Sequence, residues 1–366
     1  MQWKSRMSGE LHGKVGTATK SVHSRSGVAC LATLAELLLI VAVATLAFAS
    51  MGALAIPVEI HSPAAAAVSE KSIKRLFATE DGQIWIRRGN SEIVRFNTDY
   101  RTSRSVFPWN DRPVTEFYVS NDGKTWVLAI EEREVMIFRD ERLIASEELP
   151  PEHPAKTALS GDGQIVVSSN EGASCRCWDL SHGSEAISEL RLTEPADRLS
   201  LDQHGTRLLV ASTLGNLQIY DPKTGMLTQS IPGIGLLSAL GRFTADGEHV
   251  VLVSGHEVSL YSLPSGKLKW KTTMNGTEYL RELMISPDGR YIAVSGVAST
   301  LYVLDCASGK VMRNHVDRQN FCGISFSPRG DAVYSGGSDG SIWAWPLADD
   351  RLMPIPNETR PPCRLN

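Results

Sequence analysis

The chain has 366 residues, 42% hydrophobic and 21% charged, with a formal charge of -4. That excludes a natively unfolded chain and allows one large domain or two. The charge is unevenly spread: five cations (Lys4, Arg6, Lys14, Lys20, Arg25) and two acids (Glu10, Glu36) precede residue 59, giving +3 there and -7 beyond. A body of that sign is a poor match for nucleic acid, whose binders concentrate positive charge.

Residues 1–27 are polar, Gly/Ser-rich and basic without a hydrophobic period, and read as a disordered segment. Leu37 to Val58 then runs 22 residues without a charge. At about 1.5 Å rise per residue that length crosses a hydrocarbon core of about 30 Å, so residues 28–58 read as a transmembrane signal anchor. The cationic excess before it puts the N-terminus in the cytoplasm and the body outside, which is the periplasm if the source is bacterial. Two alternatives stay open. Ala47-Phe48-Ala49 and Ala53-Leu54-Ala55 resemble cleavage sites, so a removed signal and a secreted body are one. A buried helix of a soluble protein is the other. Residues 59–71, with the Pro63-Ala64-Ala65-Ala66-Ala67 run, read as a linker.

From residue 72 the chain repeats. Turn glycines fall at Gly82, Gly123, Gly163, Gly205, Gly247, Gly289 and Gly330, spaced by 40 to 42 residues. Most follow an Asp, as in Asn121-Asp122-Gly123 and Ser286-Pro287-Asp288-Gly289. Asp-Gly suits a tight hairpin because glycine accepts positive φ without steric cost. A bulky residue closes each third strand: Phe96, Phe138, Trp178, Tyr220, Tyr261, Leu304 and Trp345. A further turn follows in Lys223-Thr224-Gly225, Pro264-Ser265-Gly266 and Ala307-Ser308-Gly309, leading into a more polar fourth strand. Each unit is thus four antiparallel strands. A period of about 40–45 residues with that content predicts an all-β, seven-bladed propeller over 72–355. Neighbouring sheets must stack, because a single one would leave both faces wet. Either Arg351–Ile355 supplies the last outer strand, the preferred reading, or Ile56–His61 does so from the N-terminal side, which would pull the ring against the membrane. Residues 356–366 read as a tail.

The hairpins, Trp178-Asp179 with its variants Tyr220-Asp221 and Leu304-Asp305, and Ser338-Asp339-Gly340-Ser341-Ile342-Trp343-Ala344-Trp345 together resemble the WD40-repeat family, in a divergent form. Some blades are also similar to quinoprotein and YVTN-type bacterial propeller repeats. The resemblance implies a rigid platform for other proteins. The family's Gly-His pair before the first strand is missing, since Gly255-His256 falls between second and third strands. Of its Ser/Thr–His–Asp–Trp hydrogen-bonded set, only the last unit keeps three members, Ser335, Asp339 and Trp345.

No residue pattern calls for chemistry. Cys175-x-Cys177 lacks further ligands at metal spacing and reads as packing between blades. The nine histidines are dispersed. Glu131, Glu132 and Glu134 read as solvated loop charge or, less favoured, a cation contact. The expectation is therefore a non-enzyme without metal or cofactor, tethered to a membrane and binding protein partners. In such a ring one rim carries the loops entering each unit and those between second and third strands. There lie Trp109, Arg112, Tyr279, Arg318 and Phe321, the aromatic and Arg types that binding hot spots favour. The alternative is a ligand-binding or catalytic propeller with a small-molecule or cofactor site at the ring axis, which requires several polar side chains converging there.

Overall fold

A computed structural model describes residues 58–61 and 72–347, apart from loop positions 98–102, 109–111, 132, 150–154, 171–172, 184, 232–239, 264, 275–278, 298–299 and 317–320. Residues 1–57 lie outside it, so the disordered segment and the apolar stretch up to Pro57 are not among the described residues. No helix of the described residues is long and apolar enough to cross a membrane.

The described chain forms seven antiparallel sheets of four strands each. From axis to periphery, blade 1 is Ile73–Ala78, Ile84–Arg88, Glu92–Phe96 and Ser103–Pro108. Blade 2 is Val114–Val119, Thr125–Ile130, Glu134–Arg139 and Arg142–Glu148. The innermost strands of blades 3 to 7 are Thr157–Leu159, Ala196–Leu201, Leu240–Phe243, Leu280–Ile285 and Phe321–Phe326.

One side-chain device recurs in the first hairpins of five blades. In Ser160-Gly161-Asp162-Gly163, the Ser160 hydroxyl donates to Asp162 Oδ1 at 2.7 Å and accepts from the Ile165 backbone N–H at 3.0 Å. Gly163 closes the turn with φ +70, donating its N–H to Ser160 O. Thr79, Ser120, Thr244 and Ser286 repeat the bond to Asp81, Asp122, Asp246 and Asp288. Blade 4 has Asp202 in place of the hydroxyl residue, and its carboxylate takes the N–H of Thr206 at 2.7 Å. A hydroxyl three residues before the glycine is therefore as much a part of the repeat as the Asp.

Ring closure differs from the preferred reading. The outer strand of blade 7 is Val58–His61, antiparallel to Ile342–Pro346, with Val58 opposite Ala344 and Glu59 opposite Trp343. Val58 and residues 59–61, read above as the end of the anchor and the start of the linker, are sheet. Residues 351–355, the preferred closing strand, lie outside the described residues. The physical reason favours the N-terminal strand: Val-Glu-Ile-His alternates, and it needs no proline in a paired position.

The core is seven seams rather than one centre. Leu199, Leu208 and Val210 of blade 4 meet Ile165, Cys175 and Cys177 of blade 3. Trp126 and Phe138 of blade 2 meet Trp85 and Ile93 of blade 1. The closing seam packs Ile73, Leu76 and Ile84 of blade 1 on Ile342 and Tyr334 of blade 7. Fully burying each such side chain contributes about 1.5–3 kcal/mol, so every seam carries several aliphatic anchors.

Polar latches add to the seams. Lys223 of blade 4 reaches Asp179 of blade 3 at 2.6 Å. Burial alone would raise the Asp179 carboxyl, but Lys223, Ser181 and His182 outweigh it and hold it well below the usual range. Thus the Asp of Trp178-Asp179 joins neighbouring blades.

Candidate functional site

The strands alternate in direction, so loops entering each blade and loops between its second and third strands share one rim. Tyr279 stands there just before the innermost strand of blade 6, and it is 74% exposed. Its backbone is fixed although its side chain is exposed: Val297 donates its N–H to Tyr279 O, and Leu280 donates to Gly255 O. Leu214, between the second and third strands of blade 4, is 70% exposed on the same rim. The sequence reading passed over Leu214 because a single leucine in Thr213-Leu214-Gly215 has no periodicity. Its signal was the apolar residue at a turn tip, where nothing in the fold needs it.

Arg112 is held within the protein. Its Nε donates to Glu131 at 3.2 Å and its Nη1 to Glu134 at 2.9 Å, which makes the acidic loop a cation contact of this chain's own. These bonds, that with Glu134 foremost, raise the Arg112 guanidinium further. Phe321 is buried at 3% exposure and lies edge-to-face on Trp345, with ring centroids 5.6 Å apart. It therefore packs a seam instead of facing a partner. Trp109 and Arg318 lie outside the described residues.

The last blade keeps the Trp–Ser part of the hydrogen-bonded set: Trp345 Nε1 donates to Ser335 Oγ at 2.7 Å. His315, from the outer strand of blade 6, lies on the Trp345 ring with centroids 4.5 Å apart. Burial, with Arg313 adding to it, pushes this imidazole down to about 4. The sequence reading missed His315 because it arrives from the neighbouring blade.

A second polar constellation lines the axis. A β-bulge occurs just before Arg75, Glu116, Arg198, Glu282 and Gly323 on five innermost strands. Each stands seven residues before its hairpin glycine, as does Lys156 in blade 3. The bulge re-aims that residue, so charges recur at one level of the ring. Arg75 Nη1 lies 2.6 and 2.5 Å from the two Glu282 oxygens. Arg198 faces Glu116 at 3.8 Å, and Glu116 Oε2 is buried without a hydrogen-bond partner. Two residues further along, Tyr118 and Arg242 occupy the next level. Glu282, foremost, raises the Arg75 guanidinium, while burial pushes Arg242 down and both Glu282 and Tyr118 up.

Cys175, Cys177 and Cys306 are buried free thiols, pushed up by burial to about 12, 12 and 11. Among the described residues no group of three or more His, Cys, Asp or Glu side chains could hold a metal ion.

Residues 308–346 match the family model described as WD domain, G-beta repeat. The chain is 27% identical over 156 residues to U3 small nucleolar RNA-associated protein 18 homolog of Homo sapiens, covering 41% of this chain and 28% of that protein. It is 24% identical over 253 residues to COMPASS component SWD3 of Saccharomyces cerevisiae, covering 62% and 79%. Two further curated relatives are spanned over 31 and 41% of their length, so this chain matches less than half of three of the four. A chain in a crystal structure of the mitotic checkpoint complex superposes with a TM-score of 0.65 at 11% identity, over 80% of this chain and 91% of that one. That likeness concerns the fold alone.

Proposed function

We propose that this seven-bladed propeller is a divergent member of the WD40-repeat family and a non-catalytic protein-interaction platform, held at a membrane with the propeller outside the cytoplasm. The observation that carries the binding role is Tyr279, a large aromatic 74% exposed on a rim where its backbone is already pinned. With Leu214 it offers an amphipathic ring and an apolar side chain on rigid supports, the character of interface anchors. That one relative is named as a component of a larger assembly supports the same reading.

The address rests on residues 37–57, which stay free of charge once Val58 is assigned to the sheet, and on the cationic excess before them. At about 1.5 Å per residue this is still a span's length. Two measurements test the proposal in the native host. Cross-linking followed by identification of co-purified chains is expected to return a defined partner, lost in Tyr279→Ala and Leu214→Ser at unchanged Tm. Undiminished capture by both variants would refute the rim as the binding face. Alkaline extraction and external protease are expected to leave the protein in the membrane pellet and to degrade its propeller. Release into the supernatant would remove the anchor.

A second reading, a small ligand at the ring axis, is favoured by the convergent axial charges.

A further inference from the structure

The axial charges do not balance. Arg75, Arg198 and Arg242 share the axis with Glu116 and Glu282, and each carboxylate faces one arginine. Glu282 holds Arg75 with both oxygens, and Glu116 stands opposite Arg198. Arg242 is left over. Its one hydrogen bond runs from Nε to Leu283 O of the next blade at 2.7 Å, and it forms no ion pair among the described residues. That bond fixes the plane of the guanidinium and leaves both terminal nitrogens as paired donors.

The surroundings suit a negative guest. Burial, foremost, works against the charge on Arg242, and the smaller like-charge repulsion of Arg75 adds to it, while Glu282 offsets the burial only in part. An incoming oxyanion would relieve both penalties. Phe77 and Tyr118, at the same level in blades 1 and 2, stand with ring centroids 6.1 Å apart and crowd that side, favouring a compact guest. The side chains of Arg75, Glu282 and Arg198 remain partly solvent-accessible, as residues bordering an axial channel are.

We propose that the ring axis binds a compact oxyanion, a carboxylate or phosphate group, bidentate on the terminal nitrogens of Arg242. This goes beyond the rim platform and does not depend on it, since the axial residues take no part in the Tyr279 face.

The test uses the purified protein, with inorganic phosphate and malonate as separate probes at low millimolar concentration and ionic strength matched with chloride. The wild type is expected to show a saturable rise in Tm of a few degrees with at least one probe, and a shift of the Arg242 Nε–H resonance on the same titration. Response to phosphate alone or malonate alone identifies the class of guest. Arg242→Met is expected to lose the rise, and Arg242→Lys to need at least tenfold more anion. The proposal is overturned if neither probe exceeds chloride, or if a cooperatively folded Arg242→Met keeps the full response. Should Arg242→Met fail to fold, the resonance decides: an unshifted Nε–H at saturating anion also overturns it.

Discussion

Arg75 of blade 1 and Glu282 of blade 6 join across the whole width of blade 7, because Gly323 stands at the same level in that blade with no side chain to intervene. A Cβ on Gly323 would come within 2.9 Å of Leu76 N and 3.0 Å of Arg75 Cα, so the blade 1 backbone lies directly against it. Its strand partner Gly336 would likewise push a Cβ into Ile73. Two glycines thus let the last blade dock close to the first, and the ion pair bridges the seam where the ring is joined.

Removing one partner of that pair should be costly. Arg75→Met leaves Glu282 buried and half-compensated, and Glu282→Gln does the converse. Complete burial would make each cost about 3–5 kcal/mol, and partial exposure of Arg75 reduces the expectation to about 1–3 kcal/mol. The double variant Arg75→Met/Glu282→Met should recover much of the loss, as read from urea midpoints. Gly323→Ala should also destabilise, by about 1–3 kcal/mol, because backbone rather than a flexible side chain must move.

His315 should give the protein a pH-dependent stability. Its folded value of about 4 lies below the unfolded value of about 6.5, so the unfolded state binds more protons between them. Stability then falls as pH drops from about 6.5 to about 4, by about 3 kcal/mol in total, and the contribution levels off below that. Denaturant midpoints of His315→Gln measured across this window should lack that part of the slope. An identical slope in the variant would show that other groups produce it.

The hairpin hydroxyls should matter individually. Ser160→Ala removes the acceptor for the buried N–H of Ile165 and the donor to Asp162, an expected loss of about 1–3 kcal/mol. Ser160→Thr, which other blades use at this place, should be tolerated better. Thermal melts of the two variants make the comparison.

Closure by Val58–His61 has a direct test. A chain beginning at Ser72 should expose Ile342–Pro346 as an edge, melt well below the full protein and associate at higher concentration. A chain ending at Leu347 should keep its Tm. The reverse pattern would restore the C-terminal strand as the closing element.

The period of 40 to 42 residues was enough for the number of blades, because each hairpin demands its glycine locally and each strand its alternation. The same local logic explains Gly255-His256 as a two-residue turn and Cys175-x-Cys177 as seam packing. What depends on contacts between units was not legible in that way. Phe321 looked like a loop aromatic and is a seam residue. Arg112 reads from the sequence as a rim residue for a partner and is held by Glu131 and Glu134. His315 meets Trp345 only because blade 6 abuts blade 7. Arg75, Glu116, Lys156, Arg198 and Glu282 each stand seven residues before a hairpin glycine, yet their pairing follows from which blades face one another around the axis. Local turn chemistry acts between residues a few positions apart and is written in order along the chain. Seam packing, axial pairing and the choice of closing strand act between residues as distant in the chain as Val58 and Ala344, so only the closed ring decides them.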